Sequence, residues 1–508
     1  MTEQQPSDAK VDDPGGVEFP LTGDGRRSTS ATGRKVIADA LRRTDAAGAL
    51  GVEQETNWRS GYLTHFRRVI EAGLASRDAA LAIAGDGLAS LHRQMRVVSA
   101  DGEERDLAEL QTQPSSRPLQ TLTVDGTANP DEGLALPYRG DRLSGDALAR
   151  RLDEWVSVGI IEPSCADAVR EVSAHPDWLS LPGRTVVVLG AGSEVGPLPA
   201  LLNWGVTVAG VDLAQPRIWD RVARLARASA GKLLVPAGKS QAAEKGEGAD
   251  AGQDGLEQAA GADVAAEVPE IADWIGGLDG PLVLGNYVYA DGAANVRVCM
   301  AADALTLRLR AARDDLALAF LATPTDVFAV PAAAVAYSAQ AYADRWLVTK
   351  MASRPLRGLS GGRLLKRAYV PGADPGISDN LVAQQGPNYA LAKRLQRWRA
   401  SVARAAGTTV SLNVAPPTRT RSVVKNRALA AAYAGAHRFG AEVFEPETTR
   451  VLMAALLVHD LNTDGTAHEH PWQDEAHAAA HGGLWRIAYA PRSVLGLAAL
   501  LGYGASRS

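Results

Sequence analysis

The sequence predicts an α/β fold in which a doubly wound parallel sheet carries a mainly helical N-terminal region. Three observations predict it. An apolar run, Thr185–Leu189, enters the glycine turn Gly190-Ala-Gly-Ser-Glu-Val-Gly196, and a helix-like segment then leads to a second apolar run ending at Asp212. Beyond that unit, strand-like segments at 232–236, 282–287, 316–322 and 408–414 alternate with helical ones, which is the pattern of parallel βαβ units. Ahead of it, residues 35–96 place Tyr62, Phe66, Val69 and Ile70 at helical spacing.

Taken in order, the elements divide 508 residues into more than one ordinary core. Residues 1–30 are rich in Gly, Ser, Asp and Pro and read as a disordered tail. Residues 31–180 form the mainly helical N-terminal region. Its second helical pattern, 143–172, holds Leu148, Leu152 and Trp155, while the polar stretch 101–142 is broken by four prolines from Pro114 to Pro137. Pro182-Gly183 opens a Rossmann-like dinucleotide-binding domain over 181–460. Two insertions interrupt it. The tract 238–262 lacks an apolar period and reads as a flexible loop. The longer insertion, 331–388, turns Gly/Pro-rich after Arg357 and is expected to cap a substrate site. Residues 461–508 form a C-terminal extension.

The glycine turn carries the first chemistry. Gly190 and Gly192 let the backbone turn tightly and approach a diphosphate, and Gly196 is expected to let the next helix pack closely on the sheet. That helix would offer N–H groups to the anion. Asp212 follows at the spacing of about 20 residues expected for a ribose 2′-OH acceptor, and its charge would repel a 2′-phosphate. NAD is therefore expected over NADP. Glu194 sets a carboxylate inside the turn, which opposes a diphosphate unless it points away.

The second candidate is Tyr389-Ala-Leu-Ala-Lys393. Side chains four apart share a helical face, and an ammonium beside a phenol lowers its pKa, which suits proton transfer to or from a carbonyl. The strand-like Thr408–Val414 and the loop Ala415–Thr420 follow directly. With these residues in place, the chain resembles the short-chain dehydrogenase/reductase family over about 185–460. Gly190 and Gly196 match the first and last glycines of that family's turn, with Gly192 and Ser193 between them, while Leu189 and Glu194 depart from it. Asp263-Val264 resembles its adenine-contacting acidic dipeptide. Leu282–Asn286 resembles its fourth strand, although Tyr287-Val288 follows where Ala-Gly is usual. Asn413–Thr420, including Pro416, resembles the strand and loop beside the nicotinamide, with Pro417 where glycine is usual.

The resemblance implies catalytic roles for Tyr389 and Lys393, Lys393 also serving the ribose. It implies cofactor contacts at Gly190, Gly192, Ser193, Gly196, Asp212, Asp263, Asn286 and Pro416. It calls for a substrate-orienting hydroxyl after the fifth strand, where Thr323 and Thr325 stand; Ser378 is nearer Tyr389 in sequence. The family's helical asparagine has no clear equivalent in 296–312.

Other function classes find less support. A net charge of −5 offers no footprint for nucleic acid or an anionic membrane. No apolar stretch approaches the roughly 20 residues of a spanning helix, the N-terminus lacks a signal-peptide core, and a cytoplasmic protein is expected. Cys165 and Cys299 cannot build a disulfide framework. His477 and His481 have the spacing of two helical metal ligands, yet the polar segment around them reads as a solvated helix, so no metal is expected. His459 reads as a helix-terminal histidine. The expected function is hydride transfer between NAD(H) and a small carbonyl or alcohol, in a chain that can form homo-oligomers. The alternatives are a non-catalytic Rossmann-fold scaffold or redox sensor and, after that, an S-adenosylmethionine-dependent methyltransferase.

Overall fold

The computed structural model describes residues 15–238, 253–345, 358, 360–463 and 467–503. Strands β1 (Gly16–Glu18), β2 (Arg96–Val98) and β3 (Glu104–Asp106) form a small antiparallel sheet. Strand β4 (Gln120–Asp125) joins the central sheet, and β5 (Leu136–Tyr138) with β6 (Asp141–Leu143) makes a short ribbon. The parallel strands follow as β7 (Thr185–Leu189), β8 (Thr207–Val211), β9 (Lys232–Ala237), β10 (Leu282–Asn286) and β11 (Leu316–Ala322). A side pair, β12 (Val327–Val330) and β13 (Gly376–Asp379), precedes the last parallel strand, β14 (Val410–Val414).

The central sheet runs β14-β11-β10-β7-β8-β9-β4, and only β4 is antiparallel to its neighbour. Strand order reverses between β7 and β10, which creates a crevice at their carboxyl ends, where open α/β sheets bind ligands. Both faces of β7 are buried, as a parallel strand between helix layers requires. Val187 and Leu189 face one layer, and Val186 and Val188 face the other. The first layer contains helices Ala293–Ala312 and Gly386–Ala405, with Thr29–Leu41, Trp58–Gly73 and Arg77–Gln94 stacked outside them. Packing is close there: a Cβ at Gly87 would collide with the Trp398 ring. The second layer holds Gly145–Ser157, Pro163–Ala174, Pro216–Arg227 and Pro446–Asn462. No helix among the described residues is long and apolar enough to cross a membrane.

Several expectations change. From Gly16 onward the tail is ordered: β1 pairs with β2, Val17 and Phe19 are buried, and the first helix starts at Thr29 behind an Ser28 cap. Residues 1–14 lie outside the described residues, as does most of the 238–262 insertion, although Gln253–Ala259 is helical. The broken stretch 101–142 contributes β4 to the sheet, because Leu122 and Val124 alternate with polar residues and pair with β9.

The C-terminal extension is bound by buried charge. Asp326 accepts from Arg394 (2.7 Å) and Arg397 (2.6 Å), and Arg397 also pairs with Glu475. Glu162 accepts from His481 (3.0 Å) and from Arg486 (2.9 and 2.7 Å). His481 is therefore a buried core histidine, and the helix Pro471–Ala476 ends before His477. This replaces the solvated-helix expectation for that segment. No group of three His, Cys, Asp or Glu among the described residues is arranged to hold a metal.

Candidate functional site

The glycine turn stands at the carboxyl end of β7, beside the crevice. Gly190 has φ +87°, and a Cβ there would lie 2.8 Å from the Tyr287 carbonyl oxygen, so glycine is required by both conformation and space. Asp212 ends β8. Its Oδ2 accepts from the Gly192 N–H (2.7 Å) and its Oδ1 from the Leu213 N–H (2.8 Å). Burial pushes its pKa up, and those two N–H groups pull it back. Glu194 turns to Arg421, accepting from its backbone N–H (2.8 Å) and its Nε (2.5 Å), so its charge is paired at the start of the helix Arg421–Lys425 that follows the loop after β14.

Two features of the turn differ from expectation. The helix after it, Leu198–Asn203, has only six residues and starts behind Pro197, leaving little helix to present N–H groups. The atoms nearest a Cβ at Gly196 all belong to Ser193 of the turn itself and not to the sheet.

Tyr389 lies in the first turns of Gly386–Ala405, close to the loop that leaves β11. Burial pushes its phenol up to about 12, while the neighbouring Thr323 hydroxyl pulls the other way. Thr323 Oγ1 lies 2.9 Å from Thr325 Oγ1, which accepts from Gln385 Nε2 (2.6 Å). A line of polar groups thus runs from Tyr389 through two threonines to Gln385. The Tyr289 ring meets Tyr389 edge-on at 6.3 Å, and Tyr433 is near enough for its phenol to feel that of Tyr389.

Lys393 does not lower the tyrosine pKa as expected. Its Nζ donates to Gln396 Oε1 (3.0 Å), and Gln396 Nε2 donates to Asn286 Oδ1 (3.1 Å). Burial pushes the ammonium pKa down. Ser378 is not brought to Tyr389: on β13 it donates to Asn380 (3.1 Å), just past the strand, with Tyr369 nearby. Thr323 and Thr325 are the hydroxyls at the site.

The remaining candidates are spread around the crevice. Asp263 caps its own turn by accepting from Ala265 N (2.8 Å), and Val17 N of β1 donates to the Ala265 carbonyl (2.8 Å), so the N-terminal strand runs over this loop. Asn286 is buried beneath Gln396. Pro416 accepts from Thr418 (2.9 Å), while Gly482 of the C-terminal extension packs on Pro417. Gln385, Tyr289, Tyr433 and Asn295 were missed from the sequence. Only Gln385 left a signal, four residues before Tyr389 and hence on the same side of the helix start.

No protein-family model and no curated protein matches the chain. Among solved structures, "Structure of A1-type ketoreductase" and "Structure of A-type Ketoreductases from Modular Polyketide Synthase" each align at 15% identity with a TM-score of 0.30. Each alignment covers 55% of this chain and 46% of the other, so this chain spans less than half the length of the structures it matches. Likeness this slight carries no argument; the α/β architecture rests on the strand order itself.

Proposed function

We propose that the chain is a nicotinamide-dependent oxidoreductase, moving a hydride between NAD(H) and a carbonyl or alcohol at the carboxyl ends of β7, β10 and β11. The observation that carries this reading is the Tyr389 phenol placed beside the Thr323 hydroxyl directly after β11, next to the strand-order reversal. The residues fit the cofactor. Each Asp212 oxygen accepts one backbone N–H, and an ionised carboxylate has lone pairs left for ribose hydroxyls. Gly190, Gly192 and Ser193 would hold the diphosphate, with the Glu194 charge paired by Arg421. Asn295 Nδ2 near Tyr289 and Gln385 Oε1 at the end of the hydroxyl line are among the buried polar atoms that lack a partner among the described residues.

Bound NAD(H) supplies the hydride. The chain's own residues handle the proton. With its pKa raised to about 12, Tyr389 is protonated at neutral pH and acts as a donor, giving its proton to a substrate oxygen that gains charge. Thr323 lies beside the phenol, and Thr325 and Gln385 hold Thr323 in place. Lys393 would serve the ribose on leaving Gln396.

Calorimetric titration with NADH, NADPH and S-adenosylmethionine tests the reading. Micromolar NADH binding that Asp212→Ala weakens supports it; S-adenosylmethionine binding alone would favour a methyltransferase. In a screen of carbonyl compounds, Tyr389→Phe abolishes turnover and keeps cofactor binding, and unchanged turnover would remove Tyr389 as the acid. A second reading, a non-catalytic Rossmann-fold scaffold or redox sensor, draws on the internal bonding of Asp212, Glu194 and Lys393. Failure of both nicotinamides to bind favours it.

A further inference from the structure

We infer that the chain carries a second ligand site, at the amino edge of its sheet, suited to an extended organic dianion. A cavity of about 1180 Å³ opens across the amino ends of β10, β11 and β14, at the opposite end of the strands from Tyr389 and the glycine turn. Helices Ala293–Ala312, Gly386–Ala405 and Pro446–Asn462 all end there, so their terminal carbonyls alone would make it electronegative. Four arginines, Arg184, Arg310, Arg313 and Arg404, stand on its wall beside four aspartates, Asp314, Asp315, Asp460 and Asp474.

Two of these four acids are paired with an arginine. Asp315 pairs with Arg313 (2.8 Å) and Asp474 with Arg404 (3.3 Å), while Asp460 accepts from Ser411 (2.7 Å) and Asn413 (2.8 Å). Asp314 is exposed to water. Two half-buried arginines have no carboxylate partner among the described residues. Arg310 gives one N–H to Thr408 Oγ1 (2.9 Å), and burial together with the neighbouring Arg399 disfavours its charge, against the attraction of Asp303. Arg184 gives one N–H to the Leu461 carbonyl (2.5 Å). Both keep further N–H donors, and a guanidinium suits carboxylate or phosphate oxygens.

Their placement sets the ligand's shape. Arg184 meets the end of Pro446–Asn462 in one helix layer, whereas Arg310 stands on Ala293–Ala312 in the other. They flank the sheet edge from its two sides. A ligand with an anionic group at each end satisfies both, and a single small anion satisfies one. Leu282, Leu316 and Val410 supply apolar wall for the carbon between.

Calorimetric titration of the full chain at fixed ionic strength tests this, with citrate and pyrophosphate as two-ended probes and sulfate as the single anion. The expected result is saturable 1:1 binding of a two-ended probe, at least tenfold tighter than sulfate. Arg184→Gln and Arg310→Gln each weaken it at least tenfold, Arg310→Lys weakens it less than Arg310→Gln, and Asp212→Ala leaves it unchanged. Thermal melts verify that each variant is folded. The site is refuted if neither probe binds saturably, if the double glutamine variant binds as wild type, or if sulfate binds equally well.

Discussion

Replacing Asp326 by asparagine keeps the shape of the side chain and removes its charge, which isolates what that charge does. Asp326 is 1% exposed. Its Oδ1 accepts from Arg394 Nη2 (2.7 Å) and Val327 N (2.7 Å), and its Oδ2 from Arg397 Nη1 (2.6 Å). Arg397 keeps Glu475 as a partner after the substitution, but Arg394 has no second carboxylate and its Nε is already without a partner among the described residues. A guanidinium is then left charged and unpaired in the interior. Removing one member of a buried ion pair costs about 3–5 kcal/mol, a large share of the roughly 5–15 kcal/mol that holds a native protein together. Urea unfolding followed by tryptophan fluorescence reads the loss, because Trp485 packs against Phe328 beside this network. Adding Arg394→Met removes the stranded cation, so the double variant is more stable than Asp326→Asn alone by about 1–3 kcal/mol. A loss below about 1 kcal/mol in the single variant, or a double variant less stable than the single, would refute the reasoning.

Acid sensitivity follows from Glu162 and His481. His481 Nδ1 accepts from Gly483 N (3.1 Å), so Nε2 carries the hydrogen given to Glu162 and the ring is neutral. Burial pushes the His481 pKa below 6.5, and the bonds from His481 and Arg486, outweighing burial, bring Glu162 from 4.5 down to about 2. Both folded values lie below the unfolded ones, so the stabilisation is complete above pH 6.5 and is lost as the pH falls, first through His481 and then through Glu162 between 4.5 and about 2. Unfolding free energies measured from pH 8 to 3 should show this decline, and His481→Asn should lose its upper part; an unchanged curve would contradict the neutral ring. Gly190→Ala places a Cβ 2.8 Å from the Tyr287 carbonyl in a backbone with φ +87°. It should cost about 1–3 kcal/mol, visible as a lower melting temperature, and a melting temperature equal to wild type would show that the Tyr287 loop yields.

The amino-acid sequence by itself determined the elements and much of their order. Strands such as Thr185–Leu189 were legible because a strand buried on both faces must be apolar throughout and end at a glycine or polar turn. The places of Gly190, Asp212, Tyr389 and Thr323 were legible for a similar reason: each lies beside its own strand end or helix start. What the sequence withheld depends on partners far along the chain. Strand β4 was hidden among prolines, because its pairing with β9 decides it more than its own pattern. Ser378 looked close to Tyr389, but the β12–β13 pairing carries it to Asn380 and Tyr369 instead. Lys393 sits on the tyrosine's side of the helix, yet Gln396 and Asn286 take its ammonium inward. His481 read as a surface residue until Glu162, in another part of the chain, gave its ring a buried partner. Local periodicity is written in neighbouring residues. Which polar groups meet in the interior is decided only by the folded packing, since each buried donor or acceptor must find its partner wherever the chain has placed one.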